Sequence, residues 1–228
     1  MNKRGTHVEI IVSFIIFIVF LVFLFATVQS PLRKQDDKNG ITEGIELDIK
    51  EMSSAEITTA SIILESGGDA CVTLDGTIGD LGVGRNIIVK DYYGNTIPSS
   101  LNGEYLQINR ESSSDTFFKI YYSEEFNELG GGSGCTSESY NLGFTKTSKY
   151  VFEEKFLELI NMDYSTLKSE LKIPEGTEFG YGLVLSDGTT HERGEADIST
   201  NIFITENPVE YVDLEGNILQ GYIKISIW

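Results

Sequence analysis

The pattern of hydrophobic and polar positions divides this chain into two parts. From Ile10 to Val28 the sequence reads IIVSFIIFIVFLVFLFATV, an apolar run without a charge. Beyond that run, apolar and polar residues alternate in short stretches that are separated by Gly, Asn and Asp. The first pattern predicts a helix that is apolar on all sides, and the second predicts strands joined by turns.

We expect the apolar run to form a transmembrane helix. At 1.5 Å rise per residue it would reach about 28 Å, close to the hydrocarbon thickness of a bilayer. A buried core helix would show a polar face, which this run lacks. A cleaved signal peptide is the other alternative, but Pro31 directly follows the best cleavage candidate, Val28-Gln29-Ser30. The predicted lipid partner is therefore a bilayer around Ile10 to Val28.

This assignment predicts the organisation of the rest of the chain. Residues 1–9 would be a basic cytoplasmic leader, 10–28 the membrane span, 29–44 a polar linker and 45–228 an exported acidic domain. Basic residues flank both ends of the apolar run, so the positive-inside rule is nearly balanced. Two cysteines in the long acidic part favour its export. We predict a single-pass cell-membrane protein with its N-terminus inside.

Alternation with a period of two residues dominates the predicted exported domain. Ile45-Glu46-Leu47-Asp48-Ile49 is a clean example of a half-buried strand. The other predicted strands lie at 60–64, 70–74, 86–90, 104–108, 117–122, 179–185, 201–212 and 218–228. Short strands at this spacing are typical of an antiparallel sandwich. The predicted fold class is an N-terminal transmembrane α-helix followed by a mainly β, sandwich-like domain.

One segment, at about 148–173, breaks the strand pattern. Within it Phe152, Phe156 and Leu159 fall on one helical face, which predicts an amphipathic helix. Asp163 offers a capping side chain for a second short helix, and Pro174 ends it. We expect this helical insertion to cover one face of a sheet.

Composition narrows the range of functions. The formal net charge is −18 and the sequence pI is about 4.4, so the chain repels nucleic-acid phosphates, and no nucleic-acid partner is expected. Hydrophobic residues make up 40% of the chain, which is enough for a folded core and argues against disorder.

The two cysteines, Cys71 and Cys135, have two interpretations. They can form a disulfide in an oxidising compartment, or both can be small buried hydrophobic side chains. Cys135 follows the glycine-rich stretch from Gly130 to Gly134 and so lies in or beside a loop, which favours the disulfide.

Candidate catalytic and metal-binding residues are sparse. Asp213, Glu215 and Asn217 alternate in one predicted turn and could offer oxygens to Ca²⁺, although the same residues are typical of an ordinary hairpin turn. His191-Glu192 begins like a zinc-protease helix but lacks the second histidine. We predict no catalytic residues and no cofactor, and a hydrolase with an acidic pair is the remaining enzymatic alternative.

The extreme N-terminus carries a family resemblance. Lys3-Arg4-Gly5, then Thr6-His7-Val8-Glu9 and the apolar run, resemble the processing and assembly region of type IV pilins, pseudopilins and their archaeal relatives. The resemblance is closest in character to archaeal single-pass surface proteins and covers about the first 30 residues. It implies cleavage after Gly5, packing of the apolar helix into a filament, and pairing of Glu9 with a neighbour's new terminal amine. Two positions depart from bacterial pilins: Glu9 is fourth rather than fifth after the cut, and Thr6 replaces phenylalanine.

Three functional hypotheses follow from these patterns. The first is a structural or adhesive cell-surface protein that assembles as a pilin-like filament or pseudopilus subunit. The second is a permanently anchored surface domain that binds a partner without polymerising. The third is an anchored hydrolase that acts on envelope polymers. Identification of the mature N-terminus separates the first two, because processing after Gly5 leaves Thr6 as the first residue.

Overall fold

The computed structural model describes residues 5–65, 68–110, 114–132, 134–194 and 202–228. In the first helix, side chains are described for residues 10–25 and from residue 40 onward. Within these residues the helices are α1 (Gly5–Met52), α2 (Glu153–Asn161) and α3 (Tyr164–Glu170). The strands are β1 (Ser54–Leu64), β2 (Cys71–Thr77), β3 (Ile87–Lys90), β4 (Thr96–Ile97), β5 (Ser99–Asn102), β6 (Tyr105–Asn109), β7 (Phe117–Tyr122), β8 (Thr136–Glu138), β9 (Tyr140–Phe152), β10 (Phe179–Val184), β11 (Thr190–Arg193), β12 (Phe203–Val212) and β13 (Ile218–Ile227).

These strands form one large and one small sheet. The large sheet has nine strands in the order β11-β10-β13-β12-β9-β1-β7-β3-β4, and the small sheet has four in the order β5-β6-β2-β8. Neighbouring strands are antiparallel except for two parallel pairs, β2 with β8 and β9 with β12. Among the described strands, the consecutive pairs β3-β4, β5-β6, β10-β11 and β12-β13 form hairpins, and the other consecutive strands are not neighbours in a sheet.

Two lobes are built on the large sheet. In the sandwich lobe, β1, β3 and β7 face the small sheet across a core that includes Ile62, Phe118 and Leu106. In the helix lobe, β10, β12 and β13 are covered by α2, α3 and the C-terminal part of α1 around Phe156 and Tyr211. The predicted mainly β, sandwich-like character is thus present in one half of the large sheet, and helices replace the second sheet in the other half.

The seam between the lobes is narrow. It lies where β9 meets β12, and these strands pair only through Val151 with Tyr211 and Phe152 with Val212. A small apolar cluster of Ile57, Phe126, Phe152 and Val212 lies at this seam. The two lobes therefore share a sheet that has few backbone hydrogen bonds at its centre.

Helix α1 differs from the prediction in two places. Residues 29–44, predicted as a linker, are part of one continuous 48-residue helix. Residues 45–49, predicted as a strand, are its C-terminal turns: Ile45 and Ile49 are buried while Leu47 is 67% exposed. The sequence pattern I-E-L-D-I satisfies both a two-residue alternation and the i, i+4 spacing of a helix face. Here the apolar surface of the large sheet selects the helix.

The predicted transmembrane helix requires correction. Among the described residues, no helix combines the length and the apolar character needed to cross a membrane. The prediction of a membrane-spanning helix at residues 10–28 is therefore wrong for the described part of the chain.

The helical insertion is shorter than predicted. Residues 148–152 continue strand β9, because Val151 and Phe152 are buried where β9 meets β12. Helix α2 follows at Glu153, and α3 begins after Asp163, whose carboxylate accepts a 2.9 Å hydrogen bond from the Thr166 amide. This is the capping interaction that the sequence indicated.

Candidate assembly surface

The N-terminal part of α1 presents apolar side chains on every side. We call residues Ile10 to Phe25 the apolar segment. All of its side chains are exposed, from 40% at Leu24 to 66% at Ile10. A helix that is apolar all round is typical of a buried position within a larger assembly, because water around such a surface is unfavourable.

The C-terminal part of the same helix is fixed to the head of the molecule. Ile45 and Ile49 are 2% and 0% exposed and pack into the core of the helix lobe. Two polar contacts hold its flanks: Asn207 on β12 donates to the carboxylate of Glu46, and Glu51 forms an ion pair with Lys149 on β9. The apolar segment is thus a continuation of a docked helix.

The residues that carry the family resemblance lie before or within the start of this helix. Gly5 is the first residue of α1, and Glu9 lies on α1 one to two turns later. Lys3 and Arg4 lie outside the described residues. The predicted processing position and the predicted assembly residue therefore adjoin the apolar segment in sequence.

The two cysteines are joined in the sandwich lobe. Cys71, at the start of β2, forms a disulfide with Cys135, just before β8, with 5.0 Å between their Cα atoms. The bond lies beside the parallel pairing of Val72 with Thr136. It closes a loop of 64 residues in the sequence and supports the small sheet.

The calcium candidates form a hairpin turn between β12 and β13. The carboxylate of Asp213 accepts hydrogen bonds from the amides of Glu215 and Asn217, at 2.9 and 2.7 Å, and from the side-chain amide of Asn217 at 2.8 Å. The side-chain oxygen of Asn217 accepts a hydrogen bond from the ammonium group of Lys90. The carboxylate of Asp213 and the side-chain oxygen of Asn217 therefore already accept hydrogen bonds from the turn and from Lys90. Across the described parts of the chain, no three His, Cys, Asp or Glu side chains are grouped as metal ligands.

Sequence reasoning missed Lys90. This residue ends β3 in the sandwich lobe, is 5% exposed, and reaches across the seam to the turn before β13. Burial lowers the pKa of the Lys90 amine, although the nearby charges of Asp213 and Glu215 act in the opposite direction. The sequence did contain one signal that relates the two regions. The turn pattern D-x-x-G-N occurs at 91–95, directly after Lys90, and again at 213–217.

A cleft of about 340 Å³ lies beside the same seam. Ile97, Phe126 and Leu214 contribute apolar surface, and Glu125 and Glu128 contribute carboxylates. Both carboxylates are in ion pairs, Glu125 with Lys155 and Glu128 with Arg85. The cleft is therefore a polar-rimmed groove in which Glu125 and Glu128 are paired with cations.

No family model, curated protein or solved structure matches the chain.

Proposed function

We propose that this chain is the subunit of a cell-surface filament, in which the apolar segments of many copies pack together and the β-rich heads face outward. The observation that carries the proposal is the contrast along α1. One continuous helix has a C-terminal part buried on its own head and an N-terminal part whose described side chains are all exposed and, apart from Ser13, apolar.

The energetics favour an assembly through the apolar segment. Full burial of one large apolar side chain contributes about 1.5–3 kcal/mol, so several neighbouring helices would each stabilise the others substantially. Every copy carries the same segment on a docked helix, and repeated copies can therefore present it in the same orientation. A central bundle of such helices buries surface on all sides of each helix, which matches a segment without a polar face.

Charge argues against association through the heads alone. The apolar segment contains no charged residue, so the net charge of −18 is carried by the rest of the chain. Heads with a strong net negative charge repel one another at close range. A filament with the uncharged segments at its centre and the acidic heads at its periphery separates these charges.

The resemblance of the N-terminus to type IV pilins agrees with this proposal. Cleavage after Gly5 would remove the basic leader and create a new amine at Thr6. In an apolar bundle, the carboxylate of Glu9 would be costly unless it is paired, and the amine of a neighbouring copy supplies a partner. Processing and assembly are then two parts of one proposal.

The first experiment tests self-assembly with two matched substitutions on one helix. We compare Leu21→Lys, in the apolar segment, with Leu47→Lys, which is also exposed but lies beside the head. Filaments or large oligomers of the purified full-length protein should form after detergent removal with the parent chain and with Leu47→Lys, and not with Leu21→Lys. Equal assembly of all three would contradict the proposal.

The second experiment distinguishes self-association from insertion into lipid. Ser13→Cys places a thiol in the apolar segment, and Leu47→Cys is the control. A short bis-maleimide should link neighbouring copies of the Ser13→Cys protein into covalent dimers on the cell surface, because each copy carries one free thiol. A protein that remains monomeric in lipid vesicles at every density would show that lipid, and not a second copy, covers the segment.

The third experiment determines the mature N-terminus. Sequencing of native protein should begin at Thr6, and Gly5→Leu should block both processing and assembly. A protein that begins at Met1 or Asn2, and that is displayed normally with Gly5→Leu, would favour a surface binding domain that does not polymerise.

A further inference from the structure

We propose that Lys90 and Asn217 form an intramolecular amide bond that ties the two lobes together across their seam. Lys90 lies at the end of β3 in the sandwich lobe, and Asn217 lies directly before β13 in the helix lobe. The two residues are separated by 127 positions in the sequence, and their side chains are in direct contact. This inference does not depend on whether the chain polymerises.

The nucleophile is placed beside its target. The Nζ atom of Lys90 is 2.5 Å from Oδ1 of Asn217. Since a C=O bond is about 1.2 Å long, Nζ lies no more than about 3.7 Å from the carboxamide carbon, close to the separation of about 3–3.5 Å from which an attack begins. Burial lowers the pKa of the Lys90 amine, which favours the uncharged form that can attack.

A carboxylate fixes the group that would leave. Oδ2 of Asp213 accepts a 2.8 Å hydrogen bond from the side-chain nitrogen of Asn217, the atom that would leave. The other oxygen of Asp213 is held by the amides of Glu215 and Asn217. Asp213 therefore orients the carboxamide of Asn217, so that its oxygen faces the amine of Lys90.

The reaction balances without a further reactant. Nζ of Lys90 forms a bond to Cγ of Asn217, and the bond from Cγ to Nδ2 breaks. Nζ gives up one proton to solvent in the cleft that Lys90 and Asn217 line, and Nδ2 takes up one proton from the same solvent and leaves as ammonia. No atom is oxidised or reduced, and the product is a secondary amide in place of a primary amide and an amine.

The chain contains an internal comparison for this site. The turn from Asp91 to Asn95 repeats the same carboxylate-to-amide contact, also at 2.8 Å. Among the described lysines, none donates a hydrogen bond to Asn95. The lysine is thus the feature that distinguishes the turn at 213–217 from an ordinary copy of the same turn.

The position of the bond explains what it would do. Strands β9 and β12 pair at only two positions across the seam, whereas a covalent link between β3 and the start of β13 would span it directly. A subunit under tension would then resist separation of its lobes by a covalent bond in addition to hydrogen bonds.

Mass spectrometry of the full-length, reduced protein tests the proposal. The intact mass should be lower than the sequence mass by one ammonia, and trypsin should yield the peptide with Lys90 joined to the peptide with Asn217. Lys90→Arg, which keeps the positive charge, should restore the full mass. Lys119→Arg, a control on the neighbouring strand β7, should leave the link in place. A parent protein with the unaltered sequence mass and with cleavage after Lys90 would overturn the proposal, whatever the variants do.

Discussion

The two lobes of this protein cover the large sheet with different elements. Each must cover one half of the nine-stranded sheet. The sandwich lobe covers its half with a second sheet that is closed by the disulfide from Cys71 to Cys135. The helix lobe covers its half with three helices and has no cysteine in its described residues. Long-range strand pairing is thus reinforced covalently in one lobe, while helical packing suffices in the other.

This difference also assigns a role to each lobe. Helix α1 packs its buried residues Ile45 and Ile49 into the helix lobe only. An assembly built on the apolar segment would therefore attach each subunit through its helix lobe. The sandwich lobe connects to that attachment through the narrow seam, where Phe126, Phe152 and Val212 pack together. Predictions about each lobe and about the seam test this division.

The largest effect is expected at the contact between α1 and the head. Ile49→Ala should lower the free energy of unfolding by about 2–5 kcal/mol, because it leaves a cavity in a fully buried position. Leu47→Ala, two residues away and 67% exposed, should change it by about 0.5 kcal/mol or less. Urea titration of the full-length protein in detergent, followed by fluorescence of Trp228, measures both. Equal effects would show that this part of α1 is not docked as described.

Loss of the disulfide should weaken the other lobe. Replacing both Cys71 and Cys135 by Ala should cost about 2–4 kcal/mol, because a long loop is no longer closed in the unfolded chain. Hydrogen exchange should show lost protection first in β2 and β6, with α2 and β13 retained. Protection lost equally in both lobes would mean that they unfold as one unit.

Two glycines in equivalent turns test the seam. Gly94 and Gly216 both have a positive φ, 91° and 75°, so Ala at either position should cost about 1–2 kcal/mol in backbone strain. Only at Gly216 does a Cβ atom also collide with the Ile88 side chain across the seam. Gly216→Ala should therefore be more destabilising than Gly94→Ala by about 1–3 kcal/mol. Equal losses in thermal unfolding would show that the turn does not pack on β3.

The smallest effect concerns pH and the helix lobe. Hydrogen bonds from Ser165 and Thr166 hold the pKa of Asp163 below its ordinary value of 3.8. The unfolded chain therefore takes up this proton first, so the stabilisation is present above about pH 3.8 and is lost as the pH falls below it. Asp163→Asn keeps a capping oxygen and removes the titration. Its unfolding free energy should fall less than that of the parent protein between pH 6 and pH 3, and parallel curves would contradict this assignment.

Much of the secondary structure was predictable because its signals are local. Strand β7 occupies 117–122 as the alternation predicted, and β12 and β13 flank the turn that Asp213 and Gly216 indicate. The short strands β4, β5, β8 and β11 were missed, since their few residues carry too little pattern to distinguish them from turns. The 13-residue strand β9 was missed as well, and its last five residues were predicted as part of the helical insertion. The candidate assembly surface was visible as an apolar run, but its continuity with a docked helix was not.

By itself, the sequence determined where the chain turns, which segments are apolar, and that an uncharged apolar run precedes an acidic, mainly β part. The tertiary structure alone decided that residues 45–49 are helical, that β9 meets β12 at a short parallel seam, and that Lys90 reaches Asn217. The physical reason is the sequence separation over which each kind of interaction acts. Turn chemistry and hydrophobic period act over a few residues, whereas sheet order and side-chain contacts depend on which distant surfaces can bury each other at the same time.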